Sequence, residues 1–538
     1  MIQSVDHVAL LPGYLAAGTA VVALLVDLFT PPGARRRAVL FGVATAGTVA
    51  TGIGAVVVSL GAPRGTFCTE GGELPGDVAV AQSCSYVADR PGAVVAVLFC
   101  ALTLGVLGFS APTLRRQAPP GEYTFLLLCS MTGGVVLGYS RDLLTLLVAM
   151  ETLTLPLYTL VALRRRELAS VSGAVTFFVV SVVSTTVSLM GAALLYALTG
   201  ALHFDRLAAA LDARPELRTV PLTSAAVVLV LVGLVFKVAA VPFHAWAPGT
   251  YDGAPLPVAA YLSTASKLGG VVAVLYVAVV ALRPWLFVVG PVLAMIAALT
   301  MTVGNLVALR QQRMVRLLAW SSVAQAGYIL APLGVFALTG ARDDAAVATA
   351  VTATIGYAVF YVLIELGAFG AVIGLRGARD GGDIESYRGV AHRAPGWAAA
   401  FALALAGLAG LPPGLAGLFA KVVVVRALLE GGALWLALVV AANAVVGLAY
   451  YVRVAAVLYR RPVPGPPGAS PVGEEPVSSP VAEAPVTSPV AEGAAATPAF
   501  SPVVVWPVVA ALAAVTLAAI VVGFAPQWVL DAAATFAL

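Results

Sequence analysis

Residues 233–248 read GLVFKVAAVPFHAWAP, and they continue an apolar run that begins near Ala225. The run is greasy enough for lipid, yet it holds Lys237, Pro242 and His244. Pro242 removes one backbone hydrogen bond and its ring presses on the carbonyl of Val238, so a helix should break there. Broken helices are tolerated in membranes only where protein or water meets the freed backbone groups. A cation beside such a break points to an interior polar site within a membrane protein.

The whole chain supports that reading. It has 538 residues, 60% apolar and 10% charged, with a mean hydropathy of +0.98. A soluble domain is nearer one quarter charged. Runs of about 20 apolar residues, each enough to cross the hydrocarbon layer as a helix, recur from end to end. We count fourteen spans, at about 8–29, 38–60, 91–112, 122–140, 142–163, 171–199, 220–247, 254–281, 285–309, 315–339, 345–375, 396–430, 433–459 and 502–530. The first run lacks a basic leader and a small-residue cleavage site, so it reads as a retained helix.

Arginine clusters mark alternate loops: Arg35–Arg37, Arg115–Arg116, Arg164–Arg166, then Arg310, Arg313 and Arg316, then Arg376, Arg379, Arg388 and Arg393, then Arg460–Arg461. The positive-inside rule makes these cytoplasmic. Both termini, and the loop holding Cys68 and Cys84, then face outward. That loop is able to form a disulfide, and two free thiols are the open alternative. Cys100 and Cys129 lie in apolar runs as packing residues. No cysteine or histidine spacing marks a metal or iron–sulfur site. The net charge of +4 is spread over short loops and indicates no nucleic-acid partner. Residues 462–501 carry a nine-residue repeat, PVSSPVAEA followed by PVTSPVAEG, and read as a disordered Pro-rich linker.

Lysine usage is the sharpest signal. The chain has three lysines, Lys237, Lys267 and Lys421, and all three fall in apolar spans. Arginine keeps its proton in proteins, whereas a lysine in a low-dielectric site can release it near neutral pH. Intramembrane ionisable groups commonly mark ion or proton paths. One such lysine could snorkel or form a static ion pair; three of three argue for a titratable series. Glu151, deep in LLVAMETLTLPLY, is a partner that would lower the burial cost of Lys237. His244 lies two helical turns from Lys237 and could relay a proton to the next helix. Ser263, Thr264 and Ser266 surround Lys267 and suggest a hydrated track. Glu365 is a second buried acid, with structural and functional readings equally open. Lys421 follows Pro412–Pro413 where Lys237 precedes Pro242, and this reversed order hints at an inverted repeat.

Several pieces together resemble a known family. These are Phe236–Lys237 with Pro242–Pro248, Tyr251–Asp252–Gly253–Ala254–Pro255, Ser266–Lys267, YSRDLLTLLVAMETLTLPLYTLVA (139–162), MVRLLAWSSVAQAGY (314–328) and YRGVAHRAPGWAAAFALALAGLAGLPPGLAGLFAK (387–421). They are similar to the antiporter-like subunits of respiratory complex I, with relatives in multisubunit cation/proton antiporters. The Tyr-Asp-Gly-Ala-Pro variant and a lysine at 421 resemble the N type more than L or M, and no long lateral helix follows the last span as it does in L.

The resemblance implies an all-α polytopic membrane fold of fourteen helices with two inverted five-helix repeats. It divides the chain into helices 1–3 (1–121), a first bundle of helices 4–8 (122–281), a second of helices 9–13 (285–460), the linker (462–501) and helix 14 (502–538). It implies a proton relay of Glu151, Lys237, His244, Lys267 and Lys421, and proton translocation coupled to NADH oxidation and quinone reduction. FMN, iron–sulfur clusters, NADH and quinone would be held by partner subunits and none by this chain. The implied partners are subunits M, K, J and A and, through them, the peripheral arm, in a bacterial cell membrane. Three departures stand out: Glu365 sits where an amide or apolar residue is expected, Pro156 where serine is more usual, and 462–501 has no counterpart. A subunit of a cation/proton antiporter or of a membrane-bound hydrogenase is the rival reading.

Overall fold

In lipid every backbone polar group must be satisfied within the protein, and for apolar runs of this length the helix is the way to do it. A computed structural model describes residues 5–536 apart from 77, 117, 165–166, 340–343, 378 and 462–504. The Pro-rich segment therefore lies outside the described residues.

Twelve helices among the described residues are long and apolar enough to cross a membrane. They supply the first (Leu11–Phe29), second (Ala34–Ser59), third (Arg90–Phe109), fourth (Pro120–Tyr139), fifth (Leu143–Val161) and sixth (Leu168–Thr199) spans. They also supply the eighth (Leu256–Ala281), ninth (Arg283–Ala308), tenth (Met314–Leu338), eleventh (Asp344–Arg376), thirteenth (Leu434–Tyr459) and fourteenth (Trp506–Phe524). The remaining two are broken pairs: Pro221–Lys237 with Trp246–Gly253 is the seventh span, and Pro395–Ala409 with Leu415–Glu430 the twelfth.

The eighth, tenth and eleventh spans are almost wholly buried, while the first, second and fourteenth leave much of their surface uncovered by the rest of the chain. Polar chemistry is therefore concentrated along an interior line through the middle of the molecule. Small residues allow the close approach this requires. A Cβ on Gly233 would stand 2.0 Å from Ser188 Oγ, so glycine there lets the seventh span press against the sixth.

The structure departs from the expected elements in three places. The seventh span runs to Gly253 rather than 247, because Trp246–Gly253 resumes the helix after the break. The fourteenth ends at Phe524, and Pro526 starts a separate helix, Pro526–Ala534, since proline suits a first helical turn and cannot continue one. The expected loop between the second and third spans is instead a pair of small antiparallel ribbons. Strands β1 (Arg64–Thr69) and β4 (Ser83–Ala88) pair, as do β2 (Gly72–Leu74) and β3 (Val78–Val80). Cys68 and Cys84 are opposite in that register and form a disulfide, which settles the open choice between bonded and free thiols.

Candidate functional site

The first cluster is built where the seventh span stops. Lys237 is the last residue of its first half, and the next residues leave the helix. Ala239 adopts a left-handed φ of 59°, a conformation L residues occupy at a cost of order 1 kcal/mol. The freed backbone is satisfied from outside the break: Trp246 Nε1 donates to Phe236 O at 3.3 Å, and Val241 N to Thr300 Oγ1 at 3.0 Å. The interrupted helix thus places an ammonium at its own C-terminal end, where the helix dipole favours a cation.

Lys237 is 5% exposed and donates to Glu151 Oε1 at 2.7 Å, to Ser181 Oγ at 2.7 Å and to Thr154 Oγ1 at 3.4 Å. Thr185 and Thr154 hydroxyls also donate to the Glu151 carboxylate. The acid keeps 22% side-chain exposure, so the pair reaches toward the lateral surface of the chain while its amine stays inside. The expected Glu151–Lys237 pairing is present.

His244 is placed differently from the expectation. Among the described contacts it shares no bond with Lys237. Its ring packs on Trp320, 5.1 Å between centroids, and among the described residues Nδ1 is buried without a hydrogen-bond partner. The irregular backbone of the break, not a continuous helix, lies between the two residues, so two-turn spacing does not put them on one face.

Lys267 lies in the eighth span, flanked by two π-helical turns, 262–266 and 276–281. Such turns are rare and frequently found at functional sites. Its ammonium is 2% exposed and is held by Ser322 of the tenth span, through both Oγ (2.5 Å) and the backbone carbonyl. The neighbouring serine and threonine were expected to line a hydrated track. Instead Ser263 and Thr264 donate back to Ala260 O, as hydroxyls inside helices commonly do. Ser322, which nothing in the spacing marked, is the partner. Tyr361 of the eleventh span donates to Ser263 O at 2.9 Å, and its Oη lies at hydrogen-bond distance, 2.8 Å, from Ser322 Oγ.

Lys421 sits past the second break. Pro395–Ala409 ends at Gly410, whose φ is 78°, and a Cβ there would meet the Lys421 stem at 2.7 Å. Lys421 Nζ donates to Ala409 O at 2.5 Å, satisfying an orphan carbonyl at that helix end. The ammonium also lies 5.4 Å from the centre of the Tyr328 ring. At both breaks a lysine ammonium therefore sits against the C-terminal end of the first half-helix, from that end itself in Lys237 and from within the second half in Lys421.

Between Lys267 and Lys421 runs a set of polar side chains that periodicity alone did not reveal. Ser321 bonds Tyr451 Oη, and Gln325 Nε2 donates to Tyr451 Oη and to Leu408 O, each at 3.1 Å. Tyr357 donates to Gln325 Oε1 at 2.6 Å. Leu408 precedes Ala409, the residue that Lys421 caps. Glu365 lies one helical turn beyond Tyr361, fully buried. Among the described residues there is no group of His, Cys, Asp and Glu placed to hold a metal ion.

Residues 140–447, which span every one of these lysines, match the family described as NADH:quinone oxidoreductase/Mrp antiporter, TM. An NADH-quinone oxidoreductase subunit N of Salinispora tropica is 62% identical over 536 residues, 99% of each chain. The chain belongs to the NADH-quinone oxidoreductase subunit N family. A subunit N of Rhizobium meliloti is 36% identical over 394 residues, 72% of this chain and 78% of that one. A chain of respiratory complex I from Thermus thermophilus superposes with a TM-score of 0.69 at 26% identity, covering 97% of this chain and 98% of that one. A chain of the Mrp complex from Dietzia has a TM-score of 0.74 over 98% and 97% at 22% identity, a likeness of fold alone.

Proposed function

We propose that the chain is the antiporter-like, proton-translocating membrane subunit of a bacterial NADH-quinone oxidoreductase. The observation that carries this is the near-complete correspondence with a subunit N at 62% identity, joined to two buried lysines, Lys237 and Lys267, and a partly buried Lys421, two of the three (Lys237 and Lys421) on interrupted helices. As a subunit it would work within the complex beside the other membrane subunits, M, K, J and A. The flavin, iron–sulfur clusters, NADH and quinone would belong to partners.

In this reading the relay comprises Glu151, Lys237, His244, Lys267 and Lys421. Glu151 stabilises the protonated form of Lys237 through a direct charged hydrogen bond. Weakening that pair releases a proton from Lys237 toward Lys267. His244, whose Nδ1 has no hydrogen-bond partner among the described residues, is able to take or give a proton at the break. Lys267 passes charge to the region of Lys421 through the polar groups around Ser322. Two bundles, 122–281 and 285–460, would form the inverted halves, with helices 1–3 (1–121) and helix 14 (502–538) packed outside them and 462–501 as a linker. Arginine-rich loops on the cytoplasmic side would leave both termini facing outward.

The test is purification through a tag on this chain in mild detergent, with assays for flavin and inhibitor-sensitive NADH:quinone activity. Flavin and activity that co-purify support the reading. A flavin-free preparation that exchanges cations for protons in vesicles would instead make the chain an antiporter subunit.

A further inference from the structure

Glu365 is 0% exposed, and neither carboxyl oxygen has a hydrogen-bond partner among the described residues. Other carboxylates set into the interior have donors: Glu151 is held by Lys237, Asp89 by Arg141, and Asp142 accepts from Thr145 N and Oγ1. Leaving a buried acid without donors is costly, and such groups call for an explanation.

The surroundings supply one. The charged and titratable groups that interact with Glu365 are Lys267 of the eighth span, Tyr251 of the seventh, Tyr361 of its own helix and Tyr451 of the thirteenth. Lys267 does not touch the acid directly. Two hydroxyls bonded to one another link their neighbourhoods: Lys267 Nζ is on Ser322 Oγ, and Ser322 Oγ is bonded to Tyr361 Oη, one helical turn before the acid on the same helix. On the far side Tyr451 joins Ser321 and Gln325, and Gln325 reaches Leu408 O beside the carbonyl that Lys421 caps. A glutamine amide does not pick up and release protons at ordinary pH, so it cannot bridge the two lysines. Glu365, which interacts with Lys267 on one side and with Tyr451 on the other, is a carboxyl group that can.

We propose that Glu365 is a proton-carrying site between Lys267 and Lys421. The Lys267 ammonium gives up one proton and becomes a neutral amine, and the Glu365 carboxylate, reached through Ser322 and Tyr361, becomes the neutral acid. Passing that proton on to a neutral Lys421 restores the carboxylate and recharges the second amine. This inference rests on the proton-relay reading above and adds a site to it.

The experiment uses the whole complex in inside-out membrane vesicles, with NADH oxidation and acidification followed across pH for the parent, E365Q, E365D and K237A. E365Q is expected to assemble and lose pumping, while E365D recovers part of it with a displaced pH profile. An assembled E365Q that pumps like the parent with the same pH profile, beside a defective K237A, overturns the inference and leaves the relay standing. Normal pumping by K237A as well removes the relay reading itself. If E365Q does not assemble, Y361F decides, because it removes one of the two hydroxyls that link Lys267 to the neighbourhood of the acid. Slower pumping upholds the site, and parental pumping rejects it.

Discussion

A lysine at position 237 supplies something an arginine cannot, a charge that can leave. Lys237→Ala is expected to insert and assemble, because the space it vacates is small and lined by Ser181 and Thr154, yet to lose most proton pumping. Lys237→Arg should fail as well, since a guanidinium keeps its proton and presents a planar fork where a compact ammonium now meets three oxygens. Pumping assays on both variants, alongside a blot for assembled complex, check this pair of outcomes; a fully pumping arginine variant would show that deprotonation at 237 is not required. At this scale much was legible. The lysines and Glu151 stand out because titratable residues in apolar runs are rare. Ser322 and Tyr361 were not legible, because serine and tyrosine are ordinary inside helices and only the packing of the eighth, tenth and eleventh spans brings them to Lys267.

Helices that stop in mid-membrane depend on close packing to hold their loose ends. Gly233→Ala would place a Cβ 2.0 Å from Ser188 Oγ and 2.5 Å from Ser184 O, pushing the seventh span off the sixth. Overpacking of this kind costs about 1–3 kcal/mol. The sixth span also carries Ser181, so the Lys237–Ser181 bond should loosen with it. The expected result is a lower melting temperature of the complex together with reduced pumping, read by thermal shift and vesicle assay. Pro242 and Pro412–Pro413 announced both breaks in the sequence, since proline interrupts a helix wherever it falls inside one. The restart of the helix at Trp246 was not announced, because apolar composition is the same on both sides of a break. His244 was misplaced for the same reason: turn counting assumes a helix that the chain has already left.

Taken whole, the molecule is tied across its middle at the end where arginines crowd the loops. Asp252, at the end of the seventh span, pairs with Arg313 at 2.9 Å and lies 3.7 Å from Arg316, while Arg313 and Arg376 both bond Asp380. Partial burial would raise the Asp380 carboxyl, but hydrogen bonds and charge from Arg313 and Arg376 outweigh it and hold the group below its ordinary value. A lowered folded value means that the tie is intact above the usual carboxylate range, about 3.9, and is lost as acid carries the pH down through the lowered value. Asp380→Asn should therefore destabilise modestly at neutral pH, by about 0.5 kcal/mol for a half-exposed pair. The deficit should shrink below that range, and matched thermal melts across pH would show it. At the opposite end, the Cys68–Cys84 bond closes the β1–β4 ribbon. Cys68→Ser with Cys84→Ser is expected to raise protease cleavage there while pumping is unchanged, since the ribbon touches none of the lysines. The number of crossings was legible because lipid enforces long apolar runs. The ribbon was not, as its strands are short and rich in glycine and polar residues.

The scarcity of lysine has a practical side. Of the three side-chain amines in the sequence, those of Lys237 and Lys267 are sealed at 5% and 2% exposure, and only Lys421 is partly open. A membrane-permeant, amine-selective acylating reagent should therefore spare the first two in the folded state and, among the side-chain amines of this chain, report on Lys421. Modification that spread to 237 or 267 during turnover would mark the moments when the interior opens.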